Sequence, residues 1–215
     1  MRIAVLISGR GSNLKSLIDA CAARDYPAKI GLVLSNRPDA AGLVHAEDAG
    51  IPHKVIDHKK FKTREDFDAE LHRALTTAEI ELVCNAGFMR ILTDEFVHQW
   101  RDRLLNIHPS LLPAFKGLHV HQRAIDAGVR ISGATVHFVR PEMDEGPIVA
   151  QAAVPVLPDD TADTLADRIL SAEHKLYPYA LRLVAEGKAR VADERVVISD
   201  GHTNVPGPIF MPPLD

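Results

Sequence analysis

Residues 3–7, Ile-Ala-Val-Leu-Ile, form an apolar run without polar alternation. Such a run suits a strand buried on both faces of a parallel sheet. It breaks into Ser8-Gly9-Arg10-Gly11-Ser12-Asn13, after which Leu14, Leu17, Ile18 and Cys21 recur at helical spacing. A strand that turns through glycines straight into a helix restricts the chain to an α/β architecture. The alternation continues: strand at 30–34, helix over about 40–49 stopped by Gly50, strand at 54–56, helix at 63–77, strand at 82–84. Thr93 or Asp94 caps a further helix, and a strand follows at 104–107. This pattern predicts a parallel sheet with right-handed crossovers. After residue 117 it changes. A helix at 121–127 ends at Gly128, and 133–139 and 148–156 read as long strands separated by Gly146-Pro147. They form a late antiparallel hairpin that makes the sheet mixed. Asp160-Thr161 caps a long helix to about Val184, and 189–198 suggests a last short strand pair. With neither repeat nor linker, the reading is one domain over 1–200 and a Pro-rich tail over 201–215.

Composition narrows the function classes. The 215 residues are 46% hydrophobic and 25% charged, ordinary for a soluble protein able to bury a sizeable core. A net charge of −4 offers no basic excess for nucleic acid or an anionic membrane. Two cysteines, Cys21 and Cys84, make neither a disulfide framework nor a zinc site and read as small core residues. The opening apolar run ends at Ser8, too early for a secretion signal, and no stretch has the length of a membrane span. The expected location is cytoplasmic.

Chemistry concentrates around Asn106-Ile107-His108-Pro109-Ser110-Leu111-Leu112-Pro113, which follows the apolar Leu104-Leu105. Asn106 and His108 sit two apart, so on a strand they point to one side. The pair offers an amide donor and an imidazole on a lip stiffened by two prolines, as oxyanion stabilisation and proton delivery require. The alternative is that both merely satisfy loop backbone groups. Gly9 to Asn13 places backbone N–H groups at a helix N-terminus, favourable for an anion. Leu14 replaces the third glycine of a dinucleotide fingerprint, so the turn reads as a monophosphate cradle or as a simple capping turn. Asp144, in Met143-Asp144-Glu145-Gly146-Pro147, would stabilise a protonated His108 if the two met. Otherwise it belongs to an acidic turn in solvent. Phe88 to Leu92 surrounds Arg90 with apolar groups, fitting either a flat aromatic ligand or core with a snorkelling arginine. His119-Val120-His121 lacks the third ligand of a catalytic zinc site, and Glu173-His174 reads as a solvated polar pair.

Several long motifs in order resemble the phosphoribosylglycinamide formyltransferase family. They are Leu6-Ile7-Ser8-Gly9-x-Gly11-Ser12-Asn13, Ala86-Gly87-Phe88-Met89-Arg90-Ile91-Leu92, Leu105-Asn106-Ile107-His108-Pro109-Ser110-Leu111-Leu112-Pro113, Thr135-Val136-His137-Phe138-Val139, Met143-Asp144-x-Gly146-Pro147 and Glu173-His174-x-Leu176-Tyr177-Pro178. The resemblance implies a single-domain α/β, Rossmann-like formyltransferase fold: a mostly parallel sheet, a late antiparallel hairpin and helices on both faces. It implies formyl transfer from 10-formyltetrahydrofolate, a co-substrate, to the amine of 5'-phosphoribosylglycinamide, without metal. Asn106, His108 and Asp144 would be catalytic. Gly11, Ser12, Asn13 and Arg64 would hold the substrate phosphate, and Glu173 the ribose. Met89, Arg90, Ile91, Leu92, Val97, Leu104, Val139, Arg140 and Met143 would form the folate pocket. Partners would be these small molecules, with no nucleic acid and no membrane, in a monomer or homodimer. Lys116 and Val120 depart from the proline and threonine expected there. The rivals are a formyltetrahydrofolate hydrolase-like enzyme, expected to carry an extra N-terminal domain, and a methionyl-tRNA formyltransferase, expected to carry a C-terminal RNA-binding domain. A silent nucleotide- or folate-binding module is the rival from another class.

Overall fold

The structure, a computed structural model, describes residues 1–199 and 211. The Pro-rich tail expected over 201–215 lies outside the described residues except for Met211. The order is β1 (Arg2–Ile7), α1 (Ser12–Cys21), β2 (Lys29–Ser35), α2 (Leu43–Asp48), β3 (His53–Val55), α3 (Arg64–Thr77), β4 (Leu82–Asn85) and α4 (Asp94–Gln99). Then come β5 (Leu104–His108), α5 (Val120–Asp126), β6 (Ile131–Phe138), β7 (Ile148–Pro155), α6 (Ala162–Ala185), β8 (Ala189–Ala192) and β9 (Arg195–Ile198). One sheet has the order β3-β2-β1-β4-β5-β6-β7, and β8-β9 form a separate antiparallel pair. Strands β1 to β5 are parallel, whereas β6 runs antiparallel to both β5 and β7.

The apolar run that opens the chain explains the two-sided core. Ile3, Val5 and Ile7 share one cluster with Leu14 and Leu17 of α1 and with Leu165, Ile169, Tyr177 and Leu181 of α6. Ala4 and Leu6 face Phe67, Leu71 and Leu75 of α3, Phe96 of α4 and Trp100 just after α4. Alternate residues of one strand therefore hold helices on opposite faces. Fully burying each large side chain contributes about 1.5–3 kcal/mol. Tyr177 adds a polar tie: its buried hydroxyl is shared between the carbonyls of Asn85 (3.0 Å) and Leu105 (3.3 Å), fixing α6 against the strands that end at the site.

Caps set the helix starts. Thr63 and Thr93 each accept an N–H from the first turn of α3 and α4, and Thr161 and Thr164 form a reciprocal capping box on α6. Helix α2 begins at Leu43 rather than near residue 40. The cause is Gly42, whose N–H donates to the Gly9 carbonyl (2.9 Å) and so serves a tertiary turn. Among the described residues no helix is long and apolar enough to cross a membrane.

Candidate active site

The parallel strands deliver the loops after β1, β4 and β5 to one edge of the sheet, where open α/β folds bind ligands. After β1, Gly11 adopts φ 72° and caps α1 without a side-chain bond, leaving first-turn N–H groups open to an anion. A Cβ on Gly11 would lie 2.6 Å from Gly42 Cα, so glycine is needed there for both conformation and clearance. Buried Ser8 braces the turn, donating to Asn36 Oδ1 (2.6 Å) and accepting the Met89 N–H (2.8 Å). It thus links the β1 turn to the loop after β4.

Asn13 and Glu173 come together across the whole chain. Asn13 Nδ2 donates to Glu173 Oε2 at 2.7 Å, and both residues are buried. Glu173 is therefore no solvated helix-surface residue. Burial pushes its carboxyl above the usual range, opposed by the Asn13 bond. Asn13 Oδ1 is buried with no partner among the described residues, so this corner presents a carboxylate and an unused acceptor, a set suited to sugar hydroxyls. The side-chain donor of Asn13 is committed to Glu173, which leaves its backbone N–H as the donor open to a phosphate. Arg64 is exposed at the start of α3 and has no hydrogen bond or ion pair among the described residues.

On β5, Asn106 and His108 share one side of the strand. Asn106 Nδ2 lies 3.3 Å from His137 Nε2, and His137 Nδ1 lies 3.0 Å from its neighbour's carbonyl, Phe138 O. Those contacts describe a neutral His137 that donates from Nδ1 and accepts the amide at Nε2. Its pKa is pushed down, first by burial and also by His108, in keeping with that form. His108 Nδ1 stands 3.4 Å from Asp144 Oδ1, and Nε2 stands 3.0 Å from Phe115 O. An acceptor at each nitrogen is an environment that doubly protonated imidazole satisfies. Asp144 Oδ2 accepts the Gly117 N–H at 2.7 Å. Its side chain is only 12% exposed, so Asp144 is packed against His108, while Glu142, Met143 and Glu145 of the same turn stay exposed.

The loop after β5 is fixed from three sides. Thr135 donates to Ser110 O and accepts Leu112 N–H, Gln151 donates to Leu112 O, and Arg123 Nη1 donates to Lys116 O. Ser110 spends its hydroxyl on Ala114 O (2.7 Å), an arrangement without an activating base. Lys116, where the family motif led us to expect proline, pairs with Glu145 at 2.5 Å and joins this loop to the turn bearing Asp144.

The expected folate residues divide into a floor and a rim. Val97 and Leu104 are buried, and Leu92 and Val139 pack partly buried against the same cluster. Met89, Ile91 and Met143 are 70%, 59% and 56% exposed. Large apolar side chains so exposed at a strand edge mark a surface able to take an apolar ligand. Arg90 stacks over the Phe67 ring at 5.0 Å, and among the described residues its Nε has no hydrogen-bond partner. The guanidinium of Arg140 does not line the pocket. It is buried and paired with Asp102 and Glu194, because a charge this buried requires carboxylate partners.

Sequence reasoning missed Ser8, Gly42, Thr135, His137 as the Asn106 partner, and the carbonyl of Phe115. His137 carried a signal, since it lies within a strand motif otherwise apolar apart from Thr135. Gly42 carried none.

Comparison with known proteins identifies relatives of the whole fold. The formyl transferase family model matches residues 1–181. Phosphoribosylglycinamide formyltransferase of Haemophilus influenzae is 45% identical over 192 residues, covering 89% of this chain and 91% of that protein. The trifunctional purine biosynthetic protein adenosine-3 of Drosophila melanogaster is 53% identical over 195 residues. This chain spans only about a seventh to a fifth of such trifunctional relatives, 14% of the fly protein and 19% of the human one. Among solved structures, glycinamide ribonucleotide transformylase 1 from Symbiobacterium toebii superposes with a TM-score of 0.91 at 46% identity. The match covers 93% of this chain and 94% of that one.

Proposed function

The chain belongs to the formyl transferase family, among the phosphoribosylglycinamide formyltransferases, and from that membership we propose that it carries a formyl group from 10-formyltetrahydrofolate to the amine of 5'-phosphoribosylglycinamide. The products are the formylated ribonucleotide and tetrahydrofolate, within purine biosynthesis. The observation that carries the reading is the lip of β5, where Asn106 and His108 stand together and Asp144 reaches His108 at 3.4 Å.

The backbone of Gly11, Ser12 and Asn13 holds the phosphate at the start of α1, and Glu173 with Asn13 Oδ1 receives the ribose hydroxyls. The folate ring lies on the floor made by Leu92, Val97, Leu104 and Val139, under the rim of Met89, Ile91 and Met143. The amine nitrogen attacks the formyl carbon, forming a C–N bond and placing negative charge on the formyl oxygen. Asn106 and protonated His108 stabilise that oxyanion, each such donor contributing roughly 3–4 kcal/mol. Because Nε2 of His108 faces the Phe115 carbonyl, the oxyanion must draw that donor away from it. Asp144, 3.4 Å from Nδ1, orients the imidazolium and offsets its charge. A water held by Asp144 carries the proton from the attacking amine to N10, and the C–N10 bond breaks. No formyl-enzyme forms.

The test follows tetrahydrofolate release from 10-formyltetrahydrofolate with and without the ribonucleotide. Release that requires the ribonucleotide and gives its formylated product supports the reading. Release without an acceptor points to hydrolysis, and binding of both ligands without release to a silent module.

A further inference from the structure

Arg140 stands beside the pocket without facing it, and its surroundings suggest another use. Its side chain is 6% exposed. Nε donates to Glu194 Oε2 (2.7 Å), Nη2 to Asp102 Oδ1 (2.7 Å) and Nη1 to Val139 O (3.1 Å). Both carboxylates come from turns in the left-handed region. Asp102 (φ 57°) lies between α4 and β5, and Glu194 (φ 56°) follows Asp193 (φ 49°) at the tip of the β8–β9 hairpin. Two successive positive φ values define the mirror-image hairpin turn, which Asn-Gly or Asp-Gly fits most easily. Glutamate in the second place is strained, and such strain persists where surrounding contacts hold it. Here Arg140 holds one carboxylate oxygen and Arg101 the other. The hydrogen bond from Arg140 keeps the Glu194 carboxyl below its ordinary range.

The other flank of Arg140 supports the turn that carries Asp144. Gly146 has φ 131°, and a methyl there would overlap the Phe138 carbonyl and come within 3.1 Å of Arg140 Cγ. The stem of Arg140 thus lies close against Gly146, where the turn of residues 141–146 ends. Val139 N–H bonds Leu104 O at 2.8 Å on the near side of that turn. We propose that Glu194 and Asp102 are positioning residues, which act through Arg140 to fix the turn bearing Asp144 and the Val139–Met143 wall of the formyl-folate pocket. The kinetic part of this proposal rests on the formyl transfer reading, and the placement of the turn does not. Glu194 lies beyond residues 1–181, the part that matches the family model, so the terminal hairpin contributes to a site it does not line.

The experiment compares Glu194→Ala, Arg140→Lys, the double variant and Arg101→Ala by backbone amide exchange and by steady-state kinetics on the full chain. Glu194→Ala should speed exchange at 139–146 by about tenfold and leave the Gly11–Asn13 turn unchanged. It should raise KM for formyl-folate roughly fivefold and keep KM for the ribonucleotide within about twofold. The double variant should be no worse than Arg140→Lys, since one linkage is lost in both. Arg101→Ala, which leaves the Arg140–Glu194 pair in place, should have a smaller effect than Glu194→Ala. Unchanged exchange at 139–146 in Glu194→Ala overturns the proposal. An equal effect from Arg101→Ala, or both KM values rising together, overturns it as well. If the parent protein transfers no formyl group, the proposed function fails, and the exchange result alone still decides whether Glu194 positions the turn.

Discussion

Replacing Asp144 by asparagine isolates the charge beside His108. The change is isosteric, and Gly117 N–H dictates how the amide must sit. That N–H donates to Oδ2 at 2.7 Å, so the new carbonyl takes this place and the amide NH2 turns toward His108 Nδ1. A donor then faces the nitrogen that an imidazolium needs to donate from, so the variant removes its acceptor there. The ion pair spans 3.4 Å, with side chains 8% and 12% exposed. At an effective dielectric near 20 the Coulomb term has a ceiling of about 5 kcal/mol. Hydrogen bonds to charged groups contribute about 1.5–3 kcal/mol net, and the long distance favours the middle of that range. A loss of about 2–3 kcal/mol corresponds to a roughly 30- to 160-fold fall in kcat. Both KM values should stay within about threefold, because the charge acts on the oxyanion rather than on ground-state binding. The assay is tetrahydrofolate release under saturating ribonucleotide, with the fold checked by circular dichroism. A variant that keeps kcat within about threefold of the parent refutes the role given to Asp144.

Further expectations concern the groups around it. His108→Ala should lower kcat by roughly 100-fold or more at unchanged far-ultraviolet dichroism, since the ring holds only a loop carbonyl and Asp144; unfolding of this variant would show a structural role instead. Glu173→Gln should make the protein more heat-stable near neutral pH while weakening ribonucleotide binding. Burial raises the folded-state pKa of Glu173 above its unfolded value, so the folded chain binds the extra proton and stability falls as pH rises through that window. The gain in Tm should be larger at about pH 8 than at about pH 4, and calorimetry giving the opposite order would contradict the assignment. Gly42→Ala places a methyl 2.8 Å from Gly11 Cα and 3.0 Å from Ile7 Cδ1. Overpacking of about 1–3 kcal/mol outweighs the better helix propensity of alanine and should lower Tm by roughly 2–12 °C. KM for the ribonucleotide should rise with it, and an unchanged KM would separate Gly42 from the phosphate turn.

How much was legible depended on the range of the interaction. The β1 strand and its glycine turn could be read because unalternating apolar residues and a helical repeat are local patterns. Asn106 and His108 could be placed on one lip because a strand has period two. The meeting of Asp144 with His108 could not be derived from either segment, because it depends on β6 returning antiparallel to β5. Glu173 misled for a related reason. A Glu-His pair in a long helix looks solvated until Asn13, from the first helix, is seen to bury it. Arg140 fell inside a pocket-lining segment, and nothing in its neighbours says that Asp102 and Glu194 draw its guanidinium away. Gly42 acquires its meaning only from the backbone of Gly11 pressed against it.

The bond between Asn13 and Glu173 has a temporal consequence. Asn13 is synthesised 160 residues before Glu173, its partner in the last long helix described. A chain emerging from the ribosome can shape the glycine turn early, yet the sugar site proposed above stays incomplete until Glu173 has left the exit tunnel and its helix has docked. On that proposal, nucleotide binding is a late event in the formation of this fold. Once bound, the nucleotide would fasten α1 to α6 and favour the docked helix by mass action.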